Sequence, residues 1–205
     1  MQHPAITLIE RRISANHFDP THVLADVRIE ELVRLATRAP TAYNLQNWRF
    51  IAVRTPTAKA RLRELAFGQV KVSDAAVTFI VCGQLPEAAS LRARLHPFVE
   101  TGLMPAAMAA AWQDSAHAQY ADDPEAARDE AIRSATLGAA TLIYAAEAMG
   151  LVSGPMVGFD ADAVIREFGL AKGEVPAMLL PVGRGAPGNW PQKPRRSLAE
   201  VLEIS

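Results

Sequence analysis

The sequence predicts an α+β fold. Helical segments outnumber candidate strands and do not alternate with them regularly, as a doubly wound sheet would require. The strand-like stretches are few, and one of them, Ala75–Val81, is apolar enough to be buried on both faces. No G-x-G-x-x-G fingerprint follows any candidate strand, so a dinucleotide-binding βαβ unit is not indicated.

Each element has a local cause. Residues 1–13 read as a short helix carrying Ile6, Leu8 and Ile9. Ile29, Leu32, Val33 and Ala36 recur at helical spacing, and Pro40 bounds that helix. After a polar loop, Thr41–Asn47, the segment Trp48–Arg54 reads as a strand. Thr55-Pro56 opens a helix with a threonine cap and proline at the first helical position. Residues 98–120, rich in alanine, read as one helix. Asp122-Asp123-Pro124 caps a long helix that Gly150 stops near Met149. Residues 150–159 read as a glycine-rich connection, and Asp160 caps a helix ended by Gly169. Ala177–Gly183 reads as a third strand, and Ser197 to Glu200 has capping-box spacing.

The 205 residues fit one domain, 1–205, able to bury its own core. A formal net charge of -1 offers no field for nucleic acid or an anionic membrane. Cys82 is alone, so an internal disulfide is impossible, and it reads as a small buried hydrophobe. The N-terminal residues lack the form of a signal peptide and no apolar run reaches membrane-spanning length, which leads us to expect a cytoplasmic setting. The five histidines lack ligand spacing, so no metal site is expected.

Four polar clusters carry possible chemistry, each with a plainer reading beside it. Arg12 and Ser14 combine a planar guanidinium fork with a hydroxyl, which suits a phosphate; the same residues also suit a solvated helix end. Thr41, Asn44, Gln46 and Asn47 crowd one loop and offer amide edges to a flat heterocycle, or else bond to one another in a turn. Gly150 to Phe159 holds three glycines and a proline, letting backbone approach a ring closely, or serving as a plain connection. Lys193-Pro194-Arg195-Arg196 suits a dianionic phosphate, or a solvated basic turn. Together they divide the labour that a phosphorylated flat cofactor needs: charge from both chain ends, amides between.

In that order along the chain, these residues resemble the nitroreductase family of FMN proteins. Arg12-Ile13-Ser14 looks like the family's Arg-x-Ser, and Ala39 to Trp48 like its A-P-[ST]-x-x-N-x-Q-P-W, with Asn47 where proline is usual. Lys71 to Ala75 is similar to the segment entering the buried strand. Gly150 to Asp160 is similar to G-L-x-x-x-P-x-x-G-F-D, and Lys193-Pro194-Arg195 to a C-terminal K-x-R. Asn16-His17-Phe18 and Ser153 to Met156 add a likeness to malonic semialdehyde reductases within the family.

The resemblance implies a sandwich of helices around a mostly antiparallel sheet, paired as an intertwined homodimer. It implies FMN, with NAD(P)H as electron donor. Arg12, Ser14, Lys193 and Arg195 would hold phosphate and ribityl tail, while Asn16 and Lys71 would face the pyrimidine edge. Pro40, Thr41, Ala42 and Asn44 would come from the partner subunit, and Pro155, Val157 and Gly158 would line the other side of the ring. Tyr43 and a helix carrying Met108 and Trp112 would wall the substrate side; Trp112 also reads as core or interface. No side chain is required as catalytic acid or base, because the cofactor supplies the chemistry. The implied reaction passes electrons from NAD(P)H to a nitroaromatic, quinone or small carbonyl compound by a ping-pong route. A flavin sink or sensor without turnover, and a flavin enzyme of other chemistry such as dehalogenation, remain alternatives at this point.

Overall fold

A computed structural model describes residues 2–205. The chain runs α1 (Pro4–Arg11), α2 (Asp26–Ala36), β1 (Trp48–Val53), α3 (Pro56–Leu65), α4 (Val70–Asp74), β2 (Val77–Gln84), α5 (Ala88–Glu100), α6 (Ala106–Tyr120), α7 (Pro124–Ala148), β3 (Val152–Ser153), α8 (Ala161–Glu167), β4 (Glu174–Gly183) and α9 (Leu198–Val201). The strands form one sheet in the order β1-β2-β4-β3, with antiparallel pairing at every step. This is the α+β architecture expected.

The period of two along β2 divides the core. Val77, Phe79 and Val81, with Leu180 of β4, face a layer built from α2 and α7, where they meet Leu32, Ala139 and Leu142. Ile80 and Cys82 face the opposite layer, with Leu62 of α3, Val72 of α4 and Val164 of α8. The sheet is therefore covered on both sides, which is why β2 carries almost no polar residue. Thr78 is the exception within its buried stretch, and its hydroxyl donates to the Val72 carbonyl at 3.0 Å. Helix α7 lies directly on β2: a Cβ on Gly83 would come within 2.1 Å of the Ala131 carbonyl oxygen. A third cluster, away from the sheet, joins α5, α6 and the loop residue Leu45.

The expected caps form. Thr55, Asp123 and Asp160 accept from the backbone N–H three residues on, and Ser197 and Glu200 close a capping box. Four expectations need correction. Residues 98–120 are not one helix: α5 begins at Ala88, and Thr101–Pro105 separates it from α6. Gly102 takes φ +71° there and Pro105 disfavours helix before it, so the break has a local cause. Strand β4 starts at Glu174 rather than Ala177, because Pro176 falls beside a register shift at Val81/Cys82, where the ladder does not need its missing N–H. Residues 70–74 form a helix rather than a plain lead into β2, and Val152–Ser153 within the glycine-rich connection adds an edge strand.

Candidate cofactor site

Both ends of the chain meet beside the β3 edge. Ser14 forms a parallel bridge with Ser153, and Ala15 N–H donates to the Ser153 carbonyl at 2.8 Å. Gly154 permits this approach, since a Cβ there would stand 2.3 Å from the Ala15 oxygen. Asn189 ties the C-terminal segment to the same place: its Oδ1 accepts from the N–H of Asn16 (2.7 Å) and of His17 (3.0 Å), and its Nδ2 donates to the His17 carbonyl (2.7 Å). Gln192 Nε2 then donates to the Arg12 carbonyl (2.8 Å), while its Oε1 accepts from Arg195 Nη2 (2.5 Å). Arg12 Nη1 donates to Ser14 Oγ at 3.1 Å.

Lys71, on α4, completes the cluster. Its Nζ reaches Asn16 Oδ1 at 3.4 Å. Burial pushes its pKa below the usual lysine value, and the nearby charge of Lys193 pushes the same way. Lys193 also lies over the Trp190 ring, 5.8 Å from its centroid. The segment Pro155–Gly158 leaves β3 toward α4, and Gln69 Nε2 donates to the Gly158 carbonyl at 2.9 Å. Val157 is 76% exposed. A cavity of about 450 Å³ opens between Asn16, His17, Gln69, Lys71, Asp74 and Ala186.

The pairing of charges sets this cluster apart from the arginines near it in sequence. Arg11, Arg184 and Arg196 each bind a carboxylate: Glu147, Asp19 and Glu200. Among the described residues, Arg12, Lys71, Lys193 and Arg195 have no such partner. Four cations without carboxylate partners, on segments joined by these hydrogen bonds, are a donor set suited to an anion. The buried Ser153 hydroxyl, without a hydrogen-bond partner in the structure, lies beside Ser14 in the same region. A phosphate-bearing cofactor fits this donor set.

The loop of Pro40, Thr41, Ala42, Tyr43 and Asn44 is elsewhere. It is a short 3₁₀ turn, Ala42–Asn44, with φ of +51° at Tyr43, +59° at Asn44 and +46° at Gln46. Thr41 Oγ1 accepts from Gln46 N–H (3.0 Å), and Arg94 of α5 donates to the Leu45 carbonyl. Asn47 does without the rigidity of proline by bonding β2: its Nδ2 donates to the Gln84 carbonyl, and Gln84 N–H donates to its carbonyl, both at 2.8 Å. The Tyr43 hydroxyl donates to Gln119 Oε1 (3.0 Å), and its ring meets Trp112 and Tyr120 edge-on at 6.3 and 6.5 Å.

Loop and cation cluster occupy opposite corners of the sheet. The loop enters β1 where Trp48 pairs with Gly83; the cluster adjoins β3 where Ser153 pairs with Val182, itself opposite Val77. Three interstrand steps separate the corners across the sheet, about 14 Å, and six β2 residues separate them lengthwise, about 20 Å. One chain thus brings Arg12, Ser14, Asn16, Lys71, Pro155, Val157, Gly158, Lys193 and Arg195 into one region, and keeps Pro40, Thr41, Ala42, Asn44, Tyr43 and Trp112 out of it. Gln192 and Asn189, which join the chain ends, are residues that sequence reasoning missed. Their only signal was nearness to the Lys-Pro-Arg run.

An α+β sandwich whose N- and C-terminal segments gather four cations without carboxylate partners is the class that these observations define. The chain belongs to the nitroreductase family: the model described as "Nitroreductase family" matches residues 9–184. Lys193 and Arg195 lie past that match, so their placement rests on the hydrogen bonds through Gln192. The chain is 33% identical over 159 residues to protein DrgA of Synechocystis sp., covering 76% of this chain and 72% of that protein. It is 34% identical over 163 residues to a protein named NADH dehydrogenase from Thermus thermophilus, covering 80% and 78%. Among solved structures, ydfN of Bacillus subtilis superposes with a TM-score of 0.91 at 26% identity, over 98% of both chains. A protein from Exiguobacterium sibiricum, described as a nitroreductase in complex with FMN, superposes with a TM-score of 0.89 at 25% identity, over 100% of this chain and 99% of that one. No helix among the described residues is long and apolar enough to cross a membrane.

Proposed function

We propose that this chain is an NAD(P)H-dependent FMN oxidoreductase, folded as one domain over residues 1–205 and working as a homodimer with flavin held between subunits. The observation that carries this reading is the set of four unpaired cations gathered from both chain ends and from α4. The FMN-bound likeness from Exiguobacterium sibiricum and the relative named NADH dehydrogenase support it.

Arg12, Ser14, Lys193 and Arg195 hold the phosphate and ribityl tail by charge-assisted bonds. Asn16 and Lys71 face the pyrimidine edge, where a cation favours the electron-rich reduced ring. Pro155, Val157 and Gly158 line one side of the ring. Pro40, Thr41, Ala42 and Asn44 reach it from the partner subunit, because their own chain keeps them at the far corner of the sheet. Tyr43 and Trp112, braced against one another, form the wall beside the acceptor. Held there, FMN would supply the redox chemistry between NAD(P)H and a small nitroaromatic, quinone or carbonyl acceptor, in alternating half-reactions. The protein's part is position, charge and exclusion of water; no side chain is assigned a proton.

The test is optical. Purified protein supplied with FMN should be yellow, bleach when mixed with NADH or NADPH in a stopped-flow instrument, and recover colour when a quinone or nitroaromatic follows. A yellow protein that neither nucleotide bleaches would leave a flavin binder without turnover. A colourless one would remove the flavin reading too.

A further inference from the structure

Helix α4 has five residues, too few to hold itself in water. One side of it is anchored by Val72 in the core and by Thr78 bonding the Val72 carbonyl. The other side faces a cavity of about 500 Å³ lined by Pro20, Pro56, Lys59, Arg63, Gly68 and Ser73. Apolar packing does not fill that space. Two cations of α3, one helical turn apart, bridge it instead.

Lys59 Nζ donates to the Ala75 carbonyl at 2.8 Å, where Ala75 is the residue that ends α4. A positive charge at that end also suits the helix dipole. Arg63 Nε donates to the Gly68 carbonyl at 3.0 Å, just ahead of α4, and its Nη1 reaches Ser73 Oγ at 3.5 Å within it. The two side chains thus hold the chain just ahead of α4, at Ser73 within it and at Ala75, its C-cap. Neither binds a carboxylate among the described residues. Burial pushes Lys59 below the usual lysine range, against the pull of Asp74, so holding the charge there has a cost.

On the opposite side of α4, Lys71 has one hydrogen-bond partner among the described residues, Asn16, and that bond is long. Its position therefore depends on the helix that carries it. We infer that Lys59 and Arg63 are positioning residues: clamped across the cavity, they hold α4 so that the Lys71 ammonium stays at the pyrimidine edge and sets the preference for reduced over oxidised flavin. The inference rests on the flavin reading above and extends it to two residues that touch neither cofactor nor substrate.

The experiment measures affinity for oxidised and for reduced FMN, by fluorescence titration and by potentiometry of the holoprotein. Lys71→Met should lower the ratio of reduced to oxidised affinity about tenfold, a potential about 30 mV lower for a two-electron couple. Lys59→Met and Arg63→Met should each lower it about threefold or more. In a chain already carrying Lys71→Met, adding Lys59→Met should change nothing further, because its effect runs through Lys71. Lys59→Arg should keep the wild-type ratio. If Lys59→Met does not fold, Arg63→Lys keeps the charge but loses the fork and carries the same expectation. A ratio within twofold of wild type in the α3 variants, with Lys71→Met shifted, overturns the clamp alone. An equal effect of Lys59→Met with and without Lys71 overturns it in favour of direct charge. An unmoved ratio in Lys71→Met overturns both the clamp and the placement of Lys71.

Discussion

Arg11 and Arg12 are adjacent in sequence and opposite in circumstance. Arg11 binds Glu147 at 2.7 Å, whereas Arg12 donates to Ser14 and, among the described residues, meets no carboxylate. Sequence spacing could pick out Arg12, Ser14, Lys193 and Arg195 as phosphate-binding types. It could not show which cations were already neutralised, since Glu147 is 136 residues from Arg11. Changing Arg12→Ala and Arg195→Ala together should weaken FMN binding by about 3 kcal/mol or more, at roughly 1.5–3 kcal/mol per charge-assisted bond. Equilibrium titration of the apoprotein checks this, and a double variant that purifies fully yellow would refute the assignment. Lys71 supplies a pH signature. Its charged form is disfavoured in the free site, and a bound anion reverses that, raising its pKa. Binding then takes up a proton above the depressed pKa, so affinity should fall as pH rises through that value toward and past 10.5. From pH 8 upward the phosphate is already dianionic, its second pKa being about 6. The slope should therefore be shallower in Lys71→Met; titrations of both proteins over that range decide it.

At the scale of elements, what was legible followed local chemistry. Caps at Thr55, Asp123, Asp160 and Ser197 were readable because each bonds within three residues of itself. Helix α4 was not, because five residues carry no helical period; it exists through bonds from α3 and β2. Strand β3 was hidden likewise: two residues in a glycine-rich stretch become a strand only by pairing with Gly183 and Val182. Close packing of elements leads to a firm expectation at Gly83. An alanine methyl would collide with the α7 backbone at Ala131, which cannot step aside as a side chain would. Gly83→Ala should destabilise by about 3 kcal/mol, toward the upper end for overpacked cores, measured by urea unfolding. Glu174 gives the acid limb. Although burial acts to raise its pKa, bonds from Ala171 N–H, Gln84 and Arg49 outweigh it, and the net shift is downward. Its stabilising contribution is present above the usual value of 4.5 and is lost as pH falls through the depressed one. Glu174→Gln should therefore be about 2 kcal/mol less stable at pH 7, and the two proteins should converge in acid.

For the whole molecule, the decisive feature is the diagonal separation of the amide loop from the cation cluster. Sequence order alone could not reveal it, because distance along the chain says nothing about which edge of a sheet a loop reaches. It appears only with the strand order β1-β2-β4-β3. If each flavin draws on one corner from each subunit, two differently damaged chains should repair one another. Chains carrying Arg12→Ala and Arg195→Ala, mixed with chains carrying Thr41→Ala and Asn44→Ala, should form heterodimers with one intact site of two. Activity and bound flavin should return to about half the wild-type level per heterodimer. No recovery on mixing, with heterodimers present by mass spectrometry, would show that each chain builds its own site.

That same diagonal makes pigment and partnership one equilibrium. A ligand that needs both chains stabilises the pair by mass action. Dilution should therefore drain colour from the protein even at fixed free FMN, and added FMN should slow the exchange of subunits between labelled and unlabelled populations.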